Sequence, residues 1–420
     1  MNFLMQLGKM LQNDAAGAAD IEMTYLKAVH VNWNKVTTAE LPKMWASPLE
    51  VEKYAIENGD LLVCEGGEVG RAAILNNLTE PAIIQNALHR LRNTPRGQVG
   101  YFAYLLKHIA DVGWFGILCN KATIAHLTGE KLGAIQMPVP PTAEQRKITD
   151  FLDWKTGQID ALIAKKRALI GKLKEKRLAV ITQAVTKGLD SAAPLRDSGI
   201  SWLGKVPFSW SVKRLRYCAG MVTSGSRGWA EFFSESGPLF LRITNLDRES
   251  ICLKLDDIQR VEPPDGAEGA RTLTKAGDLL ISITADLGSV AVIPPGFESA
   301  YISQHLSLVR LDSDDIDPNW IAYSILSLAG KYQLNTAGYG GTKIQLSLSD
   351  IKDIRFCHPT SLDEQRRVLR AVQNEIERNN KLIELAEDAI TRLTEYRTAL
   401  ITAATTGQID VRQIEIPAQA

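Results

Sequence analysis

No run of apolar residues in this sequence is long enough to cross a membrane. The most apolar stretches, such as Asp278-Leu-Leu-Ile-Ser-Ile-Thr284, are strand-sized, whereas a spanning helix needs about 20 apolar residues. The opening Met1–Met10 segment has neither a long apolar core nor a cleavage site, so no signal peptide is expected. Cysteines are few: Cys64, Cys119, Cys218, Cys252 and Cys357 lie scattered, without CxxC pairs or companion histidines. That spacing fits a reducing cytoplasm and excludes a zinc knuckle. Excess charge is also missing, because 48 Lys+Arg balance 48 Asp+Glu. A uniformly basic nucleic-acid coat is therefore excluded, although a local basic patch is not.

Catalytic motifs are missing too. Gly340-Gly-Thr-Lys343 lacks the spacing of a phosphate-cradling loop. Asp317-Pro-Asn-Trp320 superficially resembles an amino-methyltransferase motif, but it reads better as a helix start, with Asp at the cap and Pro first in the helix. No glycine-rich cofactor loop accompanies it. Asp350-Ile-Lys352 has no upstream acidic partner with which to hold a metal. Six scattered histidines face no obvious nucleophile. The expectation is no catalytic residue, no metal site and no cofactor bound by this chain.

What is present is a repeat. Gly59-Asp-Leu-Leu-Val returns as Gly277-Asp-Leu-Leu-Ile, Gln85-Asn-Ala-Leu as Gln304-His-Leu-Ser, and Phe102-Ala-Tyr as Ile321-Ala-Tyr. Glu144-Gln-Arg returns as Glu364-Gln-Arg, and Ile181-Thr-Gln-Ala as Ile401-Thr-Ala-Ala. So many matches in order, at a nearly constant offset, mean duplication. Each half opens with short Val/Ile/Leu runs punctuated by Gly, Pro, Asn and Asp, and closes with one long helix. The fold class expected is α+β, with two β-rich domains in pseudo-twofold relation and two long helices. The boundaries are 1–142 and 191–360 for the β-rich domains, 143–190 and 361–410 for the helical segments, and 411–420 for a tail.

Both helices carry a heptad seam. One runs Thr149, Leu152, Thr156, Ile159, Ile163, Lys166, Ile170, Leu173, Arg177, Val180. The other runs Leu369, Val372, Ile376, Asn379, Ile383, Ala386, Ile390, Leu393, Arg397, Leu400. Steps of three and four sustained this long indicate a coiled coil, with Lys166 and Asn379 as register-setting polar residues. The competing reading is an amphipathic helix packed on its own domain; lengths beyond 8–20 residues favour the coiled coil. The first helix has eleven basic against five acidic residues, and the second has seven of each. Overall neutrality therefore hides a basic strip near 165–177, for which a solvated, cross-paired face is the plainer explanation.

These residues carry a family resemblance. Met137-Pro-Val-Pro-Pro-Thr-Ala-Glu-Gln-Arg opens the first long helix, and Asp197-Ser-Gly-Ile-Ser-Trp-Leu-Gly opens the second β-rich domain. Together they resemble the specificity subunits of type I restriction–modification enzymes over about residues 20–410. The resemblance implies two target recognition domains separated by two helices forming an antiparallel coiled coil. Each domain would read one half of a bipartite site in double-stranded DNA. It also implies two methyltransferase subunits and the restriction/translocase subunits as partners; S-adenosylmethionine, ATP and magnesium would belong to those partners. No membrane partner is implied, and the location expected is cytoplasmic. One departure stands out: Met1 falls opposite about Arg216, so the first domain has no counterpart of Asp197–Leu215 and its N-terminal edge is expected to be shortened. The rival readings are a two-module coiled-coil scaffold for protein or carbohydrate and a stand-alone DNA methyltransferase, the latter disfavoured by the missing cofactor loop.

Base reading needs polar side chains on accessible loops. The candidates in the second domain are Ser226, Arg227, Arg242, Asn245, Tyr339, Thr342 and Lys343, all beside turn residues. In the first domain they are Lys27, Asn32, Arg71, Asn120 and Lys121. For each, a solvated loop residue is the competing explanation.

Overall fold

A computed structural model describes residues 3–119, 126–264, 267–338 and 344–417. The chain forms two compact units. The first comprises Met1–Arg167 with Glu387–Ala420, and the second Ala168–Ala386. The β-rich domains are thus not separate from the helices, since each unit takes one part of both long helices, Thr142–Lys187 and Leu362–Thr405.

In the first unit, Leu4–Leu7, Leu88–Arg92, Leu61–Cys64 and Ala72–Ile74 form an antiparallel sheet in that order. A second sheet runs Lys43–Ala46, Ile21–Leu26, Ala82–Ile84, Ala55–Ile56, its middle pair parallel. The strand Leu61-Leu-Val-Cys64 is buried on both faces, which is why it reads as an unbroken apolar run. Leu61 and Val63 face a core holding Phe102 and Leu105 of the helix Val99–Asp111 and Leu152 of the first long helix. Leu62 and Cys64 face the second sheet.

The second unit repeats this plan. Ala219–Ser224, Leu306–Leu311, Leu279–Ser282 and Val290–Val292 form the antiparallel sheet, and Phe233–Leu241 again runs parallel to Ala300–Ile302. Leu279 and Ile281 meet the helix Pro318–Leu326, while Leu280 faces the other way. As the sequence suggests, Asp317 caps that helix by accepting from Asn319 N, with Pro318 first in the helix. Asp350 belongs to a capping box with Ser347, which accounts for it without a metal.

No heptad-seam position on either helix is exposed. Within the first unit Asp160 accepts from Arg397 (3.0 Å), and Ile159 and Ile163 share a core with Leu400 and Ile401. Within the second, Lys176 pairs with Glu375 (2.6 Å) and Arg177 donates to Asn380 (3.0 Å). An early part of one helix faces a late part of the other in each unit, which is the antiparallel arrangement. The competing reading also holds in part, because Ile181, Ala184, Val368 and Val372 enter the core of the second β-rich domain.

The strand Ser211–Arg214 pairs with Arg355–His358, and fully buried Leu215 donates to Ile354 O (2.8 Å). Among the described residues the first unit has no counterpart of that strand. Ile135, in the equivalent place to Ile354, instead lines a groove of about 330 Å³ with Phe3, Met5, Leu132 and Met137.

Asn379 lies in the seam at 1% exposure, and among the described residues neither atom of its amide has a partner. Its repeat counterpart is Ile159, an ordinary core residue. An unsatisfied buried amide costs about 1–3 kcal/mol. Asn379→Ile is therefore expected to raise Tm by about 2–8 °C. Unchanged or lowered Tm in thermal unfolding would show that the amide is satisfied.

Candidate nucleic-acid interface

The loops that join the sheets are built alike in both units. In the first, Gly8–Lys9 lies beside 84–88: Lys9 N donates to Ile84 O (2.8 Å) and Asn86 N to Lys9 O (2.8 Å). Glu65 N then donates to Ala87 O (2.9 Å), and Leu127 N to Glu65 O (2.8 Å). In the second, Ser226 N donates to Ile302 O (2.8 Å), Gln304 N to Ser226 O (3.0 Å), Ile283 N to His305 O (3.0 Å) and Leu346 N to Ile283 O (2.8 Å). Four segments thus lie side by side in each unit. Gly67 and Ala285 take the same left-handed backbone, at φ 75° and 63°; only at Ala285 does a side chain bear that strain.

Against this frame the sequence candidates separate. Arg227 and Asn32 are exposed. Ser226 and Asn245 are not accessible readers. Ser226 is 2% exposed with its hydroxyl bonded to Thr272, and Asn245 is 1% exposed with its amide donating to Lys254 O and Asp257 O. Both were expected on the surface because their neighbours are turn residues, yet Asn245 is spent inside its own loop and Ser226 on the end of the helix Ala267–Thr272. Asn245 Oδ1 also accepts from Arg242 N (2.9 Å), and in the first unit His30 Nδ1 accepts from Lys27 N (3.2 Å), the same brace with a different side chain. Lys27 and Arg242 are half-buried, with the Arg242 guanidinium on Asp257 (2.9 Å). Arg71 clamps its loop, donating to Ala28 O (2.8 Å) and Glu68 (3.2 Å). Asn120, Lys121, Tyr339, Thr342 and Lys343 lie outside the described residues.

The C-terminal end of the basic strip on the first long helix is cross-paired. Lys174 and Arg177 hold Glu249, and Lys176 holds Glu375. Burial pushes the Glu249 carboxyl up, but the two cations outweigh it and the net shift is downward.

Residues that sequence reasoning passed over turn out to pin each unit. Asp60 accepts from Arg92 through both oxygens (2.6 and 3.0 Å), and Asp278 from Arg310 (2.8 and 2.6 Å). Gln145 and Gln365 are fully buried at the starts of the long helices. Gln145 accepts from Gln98 N (2.9 Å) and Gln365 from Asp317 N (2.9 Å), so each ties a long helix to the shorter helix of its own unit. The signal was available, since all four lie inside repeated segments, but a repeat does not say which partner a polar residue will meet.

Among the described residues no group of three or more His, Cys, Asp or Glu could hold a metal ion. Burial pushes the Cys218 thiol to about 11 and the Cys357 thiol to about 12, so neither is a thiolate near neutrality.

Residues 47–172 match a family described as the type I restriction modification DNA specificity domain. The stretch begins before the loop 64–71 and ends within the first long helix. The chain is similar to curated type I restriction–modification specificity subunits. It is 20% identical over 302 residues to the EcoBI specificity subunit of Escherichia coli, covering 69% of this chain and 62% of that protein. Identity to the StySPI specificity subunit of Salmonella potsdam is 21% over 313 residues, or 74% and 65% of the two chains. The chain spans less than two thirds of the length of these curated relatives. Its fold is shared with a chain from a structure on complex assembly and conformational transition of the type I R-M system, at TM-score 0.69 and 15% identity, covering 97% of this chain and 98% of that one. It is shared also with the HsdS subunit from Thermoanaerobacter tengcongensis, at TM-score 0.53 and 14% identity over 97% of each chain.

Proposed function

We propose that this chain is the non-catalytic DNA-specificity subunit of a type I restriction–modification complex, each β-rich domain reading one half of a bipartite site. The observation that carries this reading is the loop frame built twice on one backbone plan with different side chains, as two readers of two different short sequences require. The reading regions are 1–142 and 191–360, with 143–190 and 361–410 as the spacer that sets half-site separation and docks two methyltransferase subunits. Restriction/translocase subunits complete the assembly in the cytoplasm. Methyl transfer, with S-adenosylmethionine, and cleavage, with ATP and magnesium, are the work of those partners, whose active sites take a base out of the stack to methylate it. The exposed Arg227 and Asn32 are the accessible candidates for contact with DNA; Lys343 and its neighbours stay candidates on sequence grounds.

The test is methylome sequencing of cells producing the full chain with candidate methyltransferase subunits. A methylated motif of two short defined halves around an undefined spacer is expected, and it should vanish when the chain is omitted. A contiguous motif, or none with any partner, would return the scaffold reading to first place.

A further inference from the structure

In the second unit, residues 283–285 and 344–346 form a short two-stranded ribbon. Ala285 N donates to Ile344 O (3.0 Å), Leu346 N to Ile283 O (2.8 Å), and Thr284 stands directly opposite Gln345. Residues directly opposite in an antiparallel pair share a face, so Thr284 and Gln345 present their side chains together. Thr284 Oγ1 is 2.9 Å from His305 Nδ1, which brings the imidazole to that face as well. Thr284 and His305 are half-buried and engaged with each other; Gln345 is exposed. Among the described residues its amide makes no hydrogen bond. A free amide is thus held beside two anchored polar groups on a ribbon whose strands lie about 4.8 Å apart, and a two-stranded ribbon is among the elements that the major groove, about 12 Å wide, admits.

The first unit has the same place with other occupants. Leu127 N donates to Glu65 O as Leu346 N does to Ile283 O. Gly66 stands where Thr284 does, and the exposed His126 lies across it, its ring 3.7 Å from where a Gly66 Cβ would be. Ala87 replaces His305. One backbone frame therefore carries an amide in one unit and an imidazole in the other, at a position where each unit's three loops meet.

The geometry points to Gln345 and His126 as equivalent base-reading positions, one in each unit, with Thr284 and His305 positioning the ribbon that carries Gln345. This rests on the specificity-subunit reading and names two readers within it. Glutamine matches adenine in the major groove, its amide accepting from N6 and donating to N7, whereas a carboxylate accepts from cytosine N4. The two imidazole nitrogens diverge instead of lying side by side as an amide's O and N do, so His126 makes a single bond to a base edge where Gln345 makes a pair.

The experiment is methylome sequencing of cells producing full-length wild type, Gln345→Glu, Gln345→Ala or His126→Ala with the same methyltransferase subunits. Gln345→Glu is expected to move one position in one half from adenine towards cytosine. Gln345→Ala should relax that position and lower methylation of the original site about 5- to 150-fold. His126→Ala should change one position in the other half only. Both side chains are exposed, so the thermal midpoints should match wild type. Wild-type motif and rate in all three variants would remove these residues and leave the function standing, as would changes spread over both halves. Absence of any split motif with wild type would overturn the function and this assignment together.

Discussion

On the proposed function, exchanging the second β-rich module for that of a type I specificity subunit is expected to change one half of the methylated motif completely and leave the other half as it was. The structure decides where to cut. Ile181, Ala184 and Val185 of the first long helix, with Val368, Leu369 and Val372 of the second, share one core with Leu279, Ile281 and Trp320 of the module. A graft limited to about 194–360 would set a foreign module on these helix ends, and overpacking or cavities there cost about 1–5 kcal/mol. A graft spanning 181–372 carries the matched helix ends with it. Motif calling from methylated DNA reads the result. A change in both halves, or in neither, would end the two-reader model.

Asp278→Ala is expected to destabilise the second unit by about 2–4 kcal/mol. Its carboxylate, 1% exposed, receives two bonds from Arg310 (2.8 and 2.6 Å) and one from Lys275 N (2.7 Å). Removing it leaves the guanidinium, among the described residues, with only Leu273 O. Arg310 keeps about a quarter of its surface in water, so the expected loss falls below the roughly 3–5 kcal/mol of a wholly buried pair. Asp60→Ala should do the same to the first unit, because Asp60 holds Arg92 and accepts from Glu57 N (2.9 Å) in the same pattern. Hydrogen exchange of Leu279–Ser282 and Leu61–Cys64 should separate the two, each variant loosening its own strand and not the other. A loss below about 1 kcal/mol in denaturant titration would show that the fork is dispensable. Replacing both partners by apolar residues should recover most of the loss, since the larger cost lies in stranding one charge.

Much of the architecture was legible before any coordinates. The doubled plan follows from the constant repeat offset, and the seam from steps of three and four; no seam position, from Thr149 to Val180 or Leu369 to Leu400, is exposed. The groove at Phe3, Leu132 and Met137 was not legible, because it depends on what packs there, and that packing is non-local. The candidate site was less legible than the fold. Ser226 and Asn245 lie beside turn residues, which mark a loop without saying whether a side chain points out to solvent or is spent on buried neighbours.

By itself the sequence determined that the protein is two copies of one α+β plan joined by heptad helices, because duplication and periodicity are one-dimensional properties that survive in the order of residues. Only the tertiary structure decided that each long helix is shared between two units, that Gln145 and Gln365 pin helix to helix, and that Gln345 and His126 occupy one place in two frames. Those are properties of chain segments far apart in sequence. A hydrogen bond between residues 47 or 48 positions apart, as at Gln98–Gln145 and Asp317–Gln365, has no local signature. Its partner is selected when hydrophobic burial brings the segments together and leaves their polar groups to satisfy one another away from water.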